Sequence, residues 1–146
     1  VKIIRITRMH PNAPNIKAKL VEPKLSFEIV GLLYQVHNQL GNHHREKQYG
    51  DTLEVLLKEK GVSYERERPI TTGERKSNFV DFCIANKVLI DLKAKSFITK
   101  DDYRQMQRYL ISENKELGFI VNFRQKVLRP KRILNYRLQN PLVSLG

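Results

Sequence analysis

The stretch from Asn78 to Lys95 constrains this chain more than any other. It reads Asn-Phe-Val-Asp-Phe-Cys-Ile, then Ala-Asn-Lys, then Val-Leu-Ile-Asp-Leu-Lys-Ala-Lys. Val80, Phe82 and Ile84 alternate in the first run and Val88, Ile90 and Leu92 in the second, the period-two pattern of half-buried strands. With Ala85-Asn86-Lys87 as the loop, Ile84 faces Val88, Phe82 faces Ile90, Val80 faces Leu92 and Asp81 faces Asp91. A two-residue Asn86-Lys87 turn would slip the pairing and set apolar against polar residues, so the pattern selects the longer loop. The apolar residues then share one face, with Asp81, Cys83, Asp91 and Lys93 on the other.

Directly opposed residues have Cβ atoms roughly 4.5–5.5 Å apart, and like charges held there repel unless something positive sits between them. Two carboxylates so placed suit a hard divalent cation. Mg²⁺ takes oxygen ligands, usually one or two carboxylates with waters and substrate phosphate oxygens. The same residues also fit a solvated sheet face whose aspartates pair with lysines, and the hairpin alone does not choose.

Composition narrows the partner. The chain has 146 residues, enough for one domain with a core, and 27 Lys plus Arg against 15 Asp plus Glu give a net charge of +12. Such a balance favours a polyanion such as nucleic acid over an acidic small molecule. The single cysteine, Cys83, excludes an internal disulfide and a thiolate zinc cluster and suits a reducing cytoplasm, the expected location. No apolar run approaches the ~20 residues of a membrane span. The basic N-terminus lacks the apolar segment of a secretory signal. Residues 1–23, with a short strand at Lys2 to Ile6 followed by Pro11, Pro14 and Pro23, read as an N-terminal extension. Residues 24–146 read as a single domain ending in a basic segment.

Within that domain, Phe27, Val30, Leu33, Tyr34, Val36 and Leu40 mark a helix from Ser26, its expected N-cap, to Leu40, with Gly41 as its stop. A second helix is expected from about Arg45 to Lys60, burying Tyr49, Leu53, Leu56 and Leu57. Val62 to Ile70 reads as a strand and Thr71 to Ser77 as a polar turn. Thr99 to Asp102 forms a capping-box start for a helix to about Ser112, with Tyr103, Met106 and Leu110 buried and Gln105 and Tyr109 along another line. Leu117 to Phe123 reads as a buried strand. The order implies an α/β sandwich around a mixed sheet.

Two resemblances sharpen this. Asp81, nine residues and then Asp91-Leu92-Lys93 resembles the acidic-x-Lys core of the PD-(D/E)XK nuclease superfamily, with Asp where Glu is commoner. His37-Asn38-Gln39-Leu40-Gly41 followed by Glu46-Lys47-Gln48-Tyr49 resembles the helix-loop-helix signature of the GxxExxY proteins. Asp91-Leu92-Lys93-Ala94, Gln105 with Tyr109, and Val121-Asn122-Phe123 follow in that family's order. His43 replaces the family's glycine three residues before Glu46, which bears on the shape of the loop.

The resemblance implies a restriction-endonuclease-like core, a mixed central β-sheet flanked by helices on both faces. It implies a nuclease hydrolysing DNA phosphodiesters with Mg²⁺ or Mn²⁺, in repair, recombination or defence. Glu46, Asp81, Asp91 and the Leu92 carbonyl would hold metal, and Lys93 would orient or deprotonate the attacking water. Orientation is the expected role, because the neighbouring acids favour the charged lysine. Gln105 and Tyr109 resemble the Gln-x-x-x-Tyr element of exonuclease modules fused to bacterial recombination helicases, which lies against the active site. Lys95, Lys100, Arg104, Arg108, Arg124, Lys126, Arg129, Lys131 and Arg132 would hold the DNA backbone without reading bases.

Plainer readings stand beside these. Glu46 also fits an ordinary helix-start carboxylate, and Gln105 with Tyr109 fits an amide and a phenol at a helix–core boundary. His37 reads as a half-buried histidine hydrogen-bonded to backbone. Adjacent His43 and His44 cannot present the i, i+4 geometry of a helical zinc pair. The alternatives to the enzyme are a non-cleaving nucleic-acid-binding module on the same fold and a small junction-resolving endonuclease acting as a homodimer.

Overall fold

The computed structural model describes residues 21–71 and 78–139. The strand expected at Lys2 to Ile6, the arm after it as far as residue 20 and all but the first residue of the Thr71 to Ser77 turn lie outside them, while Pro23, expected in the arm, begins the first helix. In chain order the elements are α1 (Pro23–Leu40), α2 (Glu46–Lys60), β1 (Tyr64–Ile70), β2 (Asn78–Ile84), β3 (Val88–Lys93), α3 (Lys100–Glu113), β4 (Leu117–Asn122), β5 (Lys131–Leu134) and α4 (Tyr136–Gln139). The strands form one five-stranded sheet in sequential order. Only β3 and β4 are parallel, and α3 connects them. No helix among the described residues is long and apolar enough to cross a membrane.

Two cores hold the layers together. On one face Ile29, Leu33 and Val36 of α1 and Tyr49, Leu53 and Leu57 of α2 pack on Phe82, Ile84, Val88 and Ile90. On the other, Met106, Tyr109 and Leu110 of α3 pack on Val80, Cys83, Leu89 and Ile120. This is the expected mixed sheet with helices on both faces.

The helices differ from expectation in detail. α1 starts earlier than Ser26, with Pro23 in its first turn behind a left-handed Glu22 (φ 49°). Proline is tolerated there because the first-turn N–H groups have no helical partner. Ser26 is buried, and its hydroxyl accepts a 2.8 Å hydrogen bond from Arg132. The buried stripe runs through Ile29, Leu32, Leu33 and Val36, turning Phe27 (82% exposed) and Tyr34 outward. In α2, Tyr49, Leu53 and Leu57 are buried and Leu56 only partly. Gly61 then ends it in the left-handed region at φ 68°, where a glycine costs least.

The β2–β3 hairpin keeps the predicted register as far as its ladder runs: Ile84 opposes Val88 and Phe82 opposes Ile90 across Ala85-Asn86-Lys87, but the expected Val80↔Leu92 and Asp81↔Asp91 pairs lie beyond the ladder's end. Ala85 and Asn86 are both left-handed, each at φ 54°. Two expectations about faces also fail. Val80 does not share a face with Phe82; it packs in the α3 core with Cys83 and Leu89. Cys83 is not on a polar face but buried at 1% exposure.

The change of face coincides with a break in the ladder at Glu67 and Asp81. The β1–β2 ladder runs from Tyr64↔Ile84 to Arg66↔Phe82 and resumes at Arg68↔Val80, skipping the pair between. Glu67 is left-handed at φ 53°, and one such residue reverses the alternation of a strand. Arg66 therefore bonds acids of α2 while Arg68, two residues on, bonds Glu113 of α3. The polar face read from the sequence is the one that α3 covers.

The α1–α2 loop is built around Tyr49. Its ring stacks on Phe123 at 4.2 Å between centroids, 11° from parallel. Its hydroxyl donates to the Gly41 carbonyl at 2.6 Å and accepts from the His44 N–H at 3.2 Å. His37 bonds the Gln125 carbonyl at 2.8 Å through Nε2, the backbone-bound role expected of it. His43 is exposed and is not among the residues with positive φ, so this loop asks nothing there that only glycine supplies. Tyr49→Phe keeps the stacked ring and removes both hydroxyl bonds. It should lower stability by about 1–2 kcal/mol in urea unfolding, while Tyr49→Ala should cost about 3–5 kcal/mol.

Candidate active site

Asp81 and Asp91 come together where the β2–β3 ladder ends. Beyond Phe82↔Ile90 the Leu92 N–H donates to Asp81 Oδ2 at 2.6 Å instead of to a backbone carbonyl. A side chain thus stands in for a ladder acceptor, and the bond holds the Asp81 carboxylate in place. Asp91 is buried at 7% exposure. Burial, then a hydrogen bond shared with Asp91, then the charges of Asp91 and Glu46 push the Asp81 carboxyl up to about 8, against the pull of the Leu92 N–H.

Lys93 continues the same face. Its ammonium lies 3.1 Å from Asp91 Oδ2 and 3.8 Å from Asp102 Oδ1. Burial pulls its pKa down, but Asp91, Asp102 and Glu46 outweigh that and hold it above the ordinary lysine value. The lysine is therefore a fixed positive charge, as the orienting role requires, and is poorly suited to take a proton.

Asn122 fixes the backbone beyond β3. Fully buried, it donates from Nδ2 to the Lys95 carbonyl at 2.7 Å and accepts from the Lys95 N–H at 3.1 Å and the Arg124 N–H at 3.2 Å. The Phe123 N–H meets the Lys93 carbonyl at 2.9 Å. The chain is thus pinned on both sides of Lys93 and Lys95. The sequence marked Asn122 only as part of a family run; a wholly buried asparagine with paired amide atoms is invisible before the fold is known.

Glu46 opens α2 at the rim of a cleft of about 430 Å³ that Gly50, Arg66, Asp81 and Leu92 also line. Its carboxyl is raised by desolvation and by Asp91, with Lys93, the Ala94 backbone and Lys95 acting against the rise. Arg66 ties the cleft together, donating to Asp51 at 2.7 Å and Glu54 at 3.0 Å with its guanidinium 5.6 Å from the Phe82 ring centre. A Cβ on Gly50 would stand 2.6 Å from that guanidinium, so the glycine makes room for the tie that holds α2 to β1. Glu46 reaches the acids electrostatically and not as a third member of a tight cluster. Among the described residues, no group of three or more His, Cys, Asp or Glu side chains is spaced to hold a metal ion.

Tyr109 is buried beside the acids, and burial followed by the Asp91 charge raises its phenol. Gln105, one turn earlier, is half-buried. Of the basic residues expected at DNA, Lys100, Arg104, Arg108, Arg124, Lys126, Arg129 and Lys131 are exposed. Three are engaged: Arg104 pairs with Asp101 at 2.8 Å, Lys95 pairs with Asp102 at 2.5 Å, and Arg132 donates to Ser26 Oγ and, at 2.6 Å, to the Val21 carbonyl, pinning the start of α1. The segment carrying Arg124 to Arg129 leaves β4 directly after Asn122, whose register partner on β3 is Lys93.

A pair of adjacent carboxylates, one of them pushed upward by burial and by the other, is relieved by a cation, and the donors are hard oxygens. The Asp81–Asp91 pair therefore fits a small divalent ion through two carboxylates, with waters or substrate completing its shell. It does not fit an all-protein cage. Without a cation the pair costs stability, so Asp81→Asn, which keeps an oxygen for the Leu92 N–H, should raise the metal-free melting temperature by about 3–6 °C. The same variant should lose the upward shift that millimolar Mg²⁺ or Mn²⁺ gives the wild type; a thermal melt with and without the ions reads both.

The curated proteins and the solved structures gave no significant match. The profile of the PD-(D/E)XK nuclease superfamily matches residues 23–133, from the start of α1 into β5, and spans Asp81, Asp91 and Lys93. With that match over most of its length, a mixed sheet flanked by helices and the acidic pair followed by lysine at the end of its central hairpin, the chain belongs to the PD-(D/E)XK nuclease superfamily.

Proposed function

We propose that the chain is a metal-dependent nuclease that hydrolyses DNA phosphodiester bonds, in the manner of the GxxExxY proteins its α1–α2 signature resembles. The observation that carries this is Asp81 beside Asp91 with the Lys93 ammonium 3.1 Å from the second acid. Asp81, Asp91 and the Leu92 carbonyl would hold Mg²⁺ or Mn²⁺, with Glu46 at the cleft rim as the further acid that would join them. The ion supplies Lewis-acid polarisation of the phosphoryl group and a water of lowered pKa.

The protein's own groups do the rest. Lys93, held charged, orients the attacking water and offsets charge on the phosphoryl oxygens. Tyr109 borders the acids on the α3 side, and Gln105 lies one turn before it on the same helix. Exposed Arg124, Lys126, Arg129 and Lys131, with Lys100, Arg104 and Arg108, hold the DNA backbone without reading bases. A cytoplasmic role in repair, recombination or defence suits such an enzyme, and a homodimer suits the junction-resolving form.

One observation favours a second reading. Glu46 stands apart from the aspartate pair, so a non-cleaving DNA-binding module on the same fold is the competing function. Incubating the protein with linear, circular and branched DNA, with and without Mg²⁺ or Mn²⁺, separates the two. Cleavage should require the ion, and Lys93→Ala should reduce it by about 10²-fold or more while DNA affinity holds. Cleavage by Lys93→Ala at the wild-type rate would remove the lysine from the mechanism; binding with no cleavage of any form would install the competing function. Affinity should fall steeply with salt, and neutralising Arg124, Lys126 and Arg129 should flatten that slope by about two to three.

A further inference from the structure

We propose that Asp102 is a positioning residue for Lys93, receiving its ammonium when a divalent cation claims Asp91. The inference rests on the reading that Asp81 and Asp91 hold such a cation. Lys93 sits between two buried acids, closer to Asp91 (3.1 Å) than to Asp102 (3.8 Å). An ion on Asp91 repels the ammonium that now shares that carboxylate. With no second anion the lysine would either compete with the ion or leave the site. Asp102 gives it a place to stay, a short rotation of its stem away.

Asp102 suits this because it cannot move with the lysine. It is the third residue of α3, and its Oδ2 accepts from the Thr99 N–H at 2.8 Å and the Thr99 hydroxyl at 3.1 Å. Lys95 pairs with the same oxygen at 2.5 Å, while Oδ1 faces Lys93. A capping box needs one side-chain oxygen at this position; here the other is turned inward on the lysine. Asp91, Lys93, Asp102 and Lys95 thus alternate in sign, so moving Lys93 from one acid to the next never leaves a buried charge without a partner.

The test is a double-mutant cycle read by Mn²⁺ binding to the full chain in titration calorimetry, with no cleavage involved. Asp102→Asn keeps an oxygen for Thr99 and removes the receiving charge, so Lys93 should cling to Asp91 and Mn²⁺ should bind about tenfold more weakly. Lys93→Met removes the competitor and should tighten Mn²⁺. In the Lys93→Met background, Asp102→Asn should change affinity by less than about threefold, because its effect passes through the lysine. Equal losses in both backgrounds would show that Asp102 acts only through the local field, and would overturn the proposal. Should Asp102→Asn fail to fold, Lys95→Gln makes the same comparison: it leaves Asp102 to Lys93 and should tighten Mn²⁺ more with Lys93 present than without it, and equal effects would again overturn the proposal. A wild type that binds neither Mn²⁺ nor Mg²⁺ defeats the metal-site reading and this inference together; binding with an additive cycle defeats this inference alone.

Discussion

Two carboxylates side by side at the end of the central hairpin set the terms for the rest of this structure. Like charges so close destabilise a fold unless one is neutralised or a cation intervenes. Here the protein applies several partial remedies at once. Asp81 takes the Leu92 N–H, Asp91 takes the Lys93 ammonium, and the Asp81 carboxyl is pushed up to about 8, which eases the repulsion by favouring its neutral form. Each remedy occupies a carboxylate that an ion could take, and a cation between the two acids would offset their repulsion without burying a neutral acid. The surrounding elements read as supports: Asn122 clamps the chain beyond Lys93, and Arg66 fastens α2 to β1 beside the cleft.

The resemblance to the GxxExxY signature takes on physical content in the α1–α2 loop. Gly41 supplies a carbonyl to Tyr49, Tyr49 stacks on Phe123, and His37 reaches the Gln125 carbonyl. These residues touch neither aspartate. They fasten the start of α2, and so Glu46, to the segment that leaves β4 next to Lys93. The signature is thus mostly scaffold, with Glu46 as the one group in it that the resemblance assigns to the site. His43 fits this, because the residue there stands exposed without a left-handed backbone.

Much of this was legible in the sequence where periodicity and register argue together. The three-residue hairpin loop followed from asking which pairing keeps apolar residues opposite one another, and the register agrees at Phe82↔Ile90. The capping box at Thr99 was equally plain, because its chemistry is local. What failed was anything set by a distant neighbour or an unsignalled backbone state. Val80 changes face where the ladder breaks and Glu67, a non-glycine, is left-handed opposite Asp81. Phe27 looked like core because it is apolar, yet Ile29 and Leu32 carry the stripe. Asp102 read as a cap because its second oxygen acquires meaning only when β3 brings Lys93 to it.

Net charge and local charge point in opposite directions here, and that contrast bears on how a polyanion is handled. The chain carries +12 overall, yet the cleft beside Asp81 is bordered by Glu46, Asp51 and Glu67 as well, with only Lys47 and Arg66 as cations. Phosphates drawn in by the general field therefore meet a locally repulsive wall at the place where chemistry would occur. Lys93 cannot soften it alone, being already shared between Asp91 and Asp102. Divalent charge at the aspartate pair reverses the local sign and would make the wall a seat for one phosphodiester. In the proposed function the metal-free protein would hold DNA by its exposed basic rim, and the ion would decide whether the backbone settles over the acids.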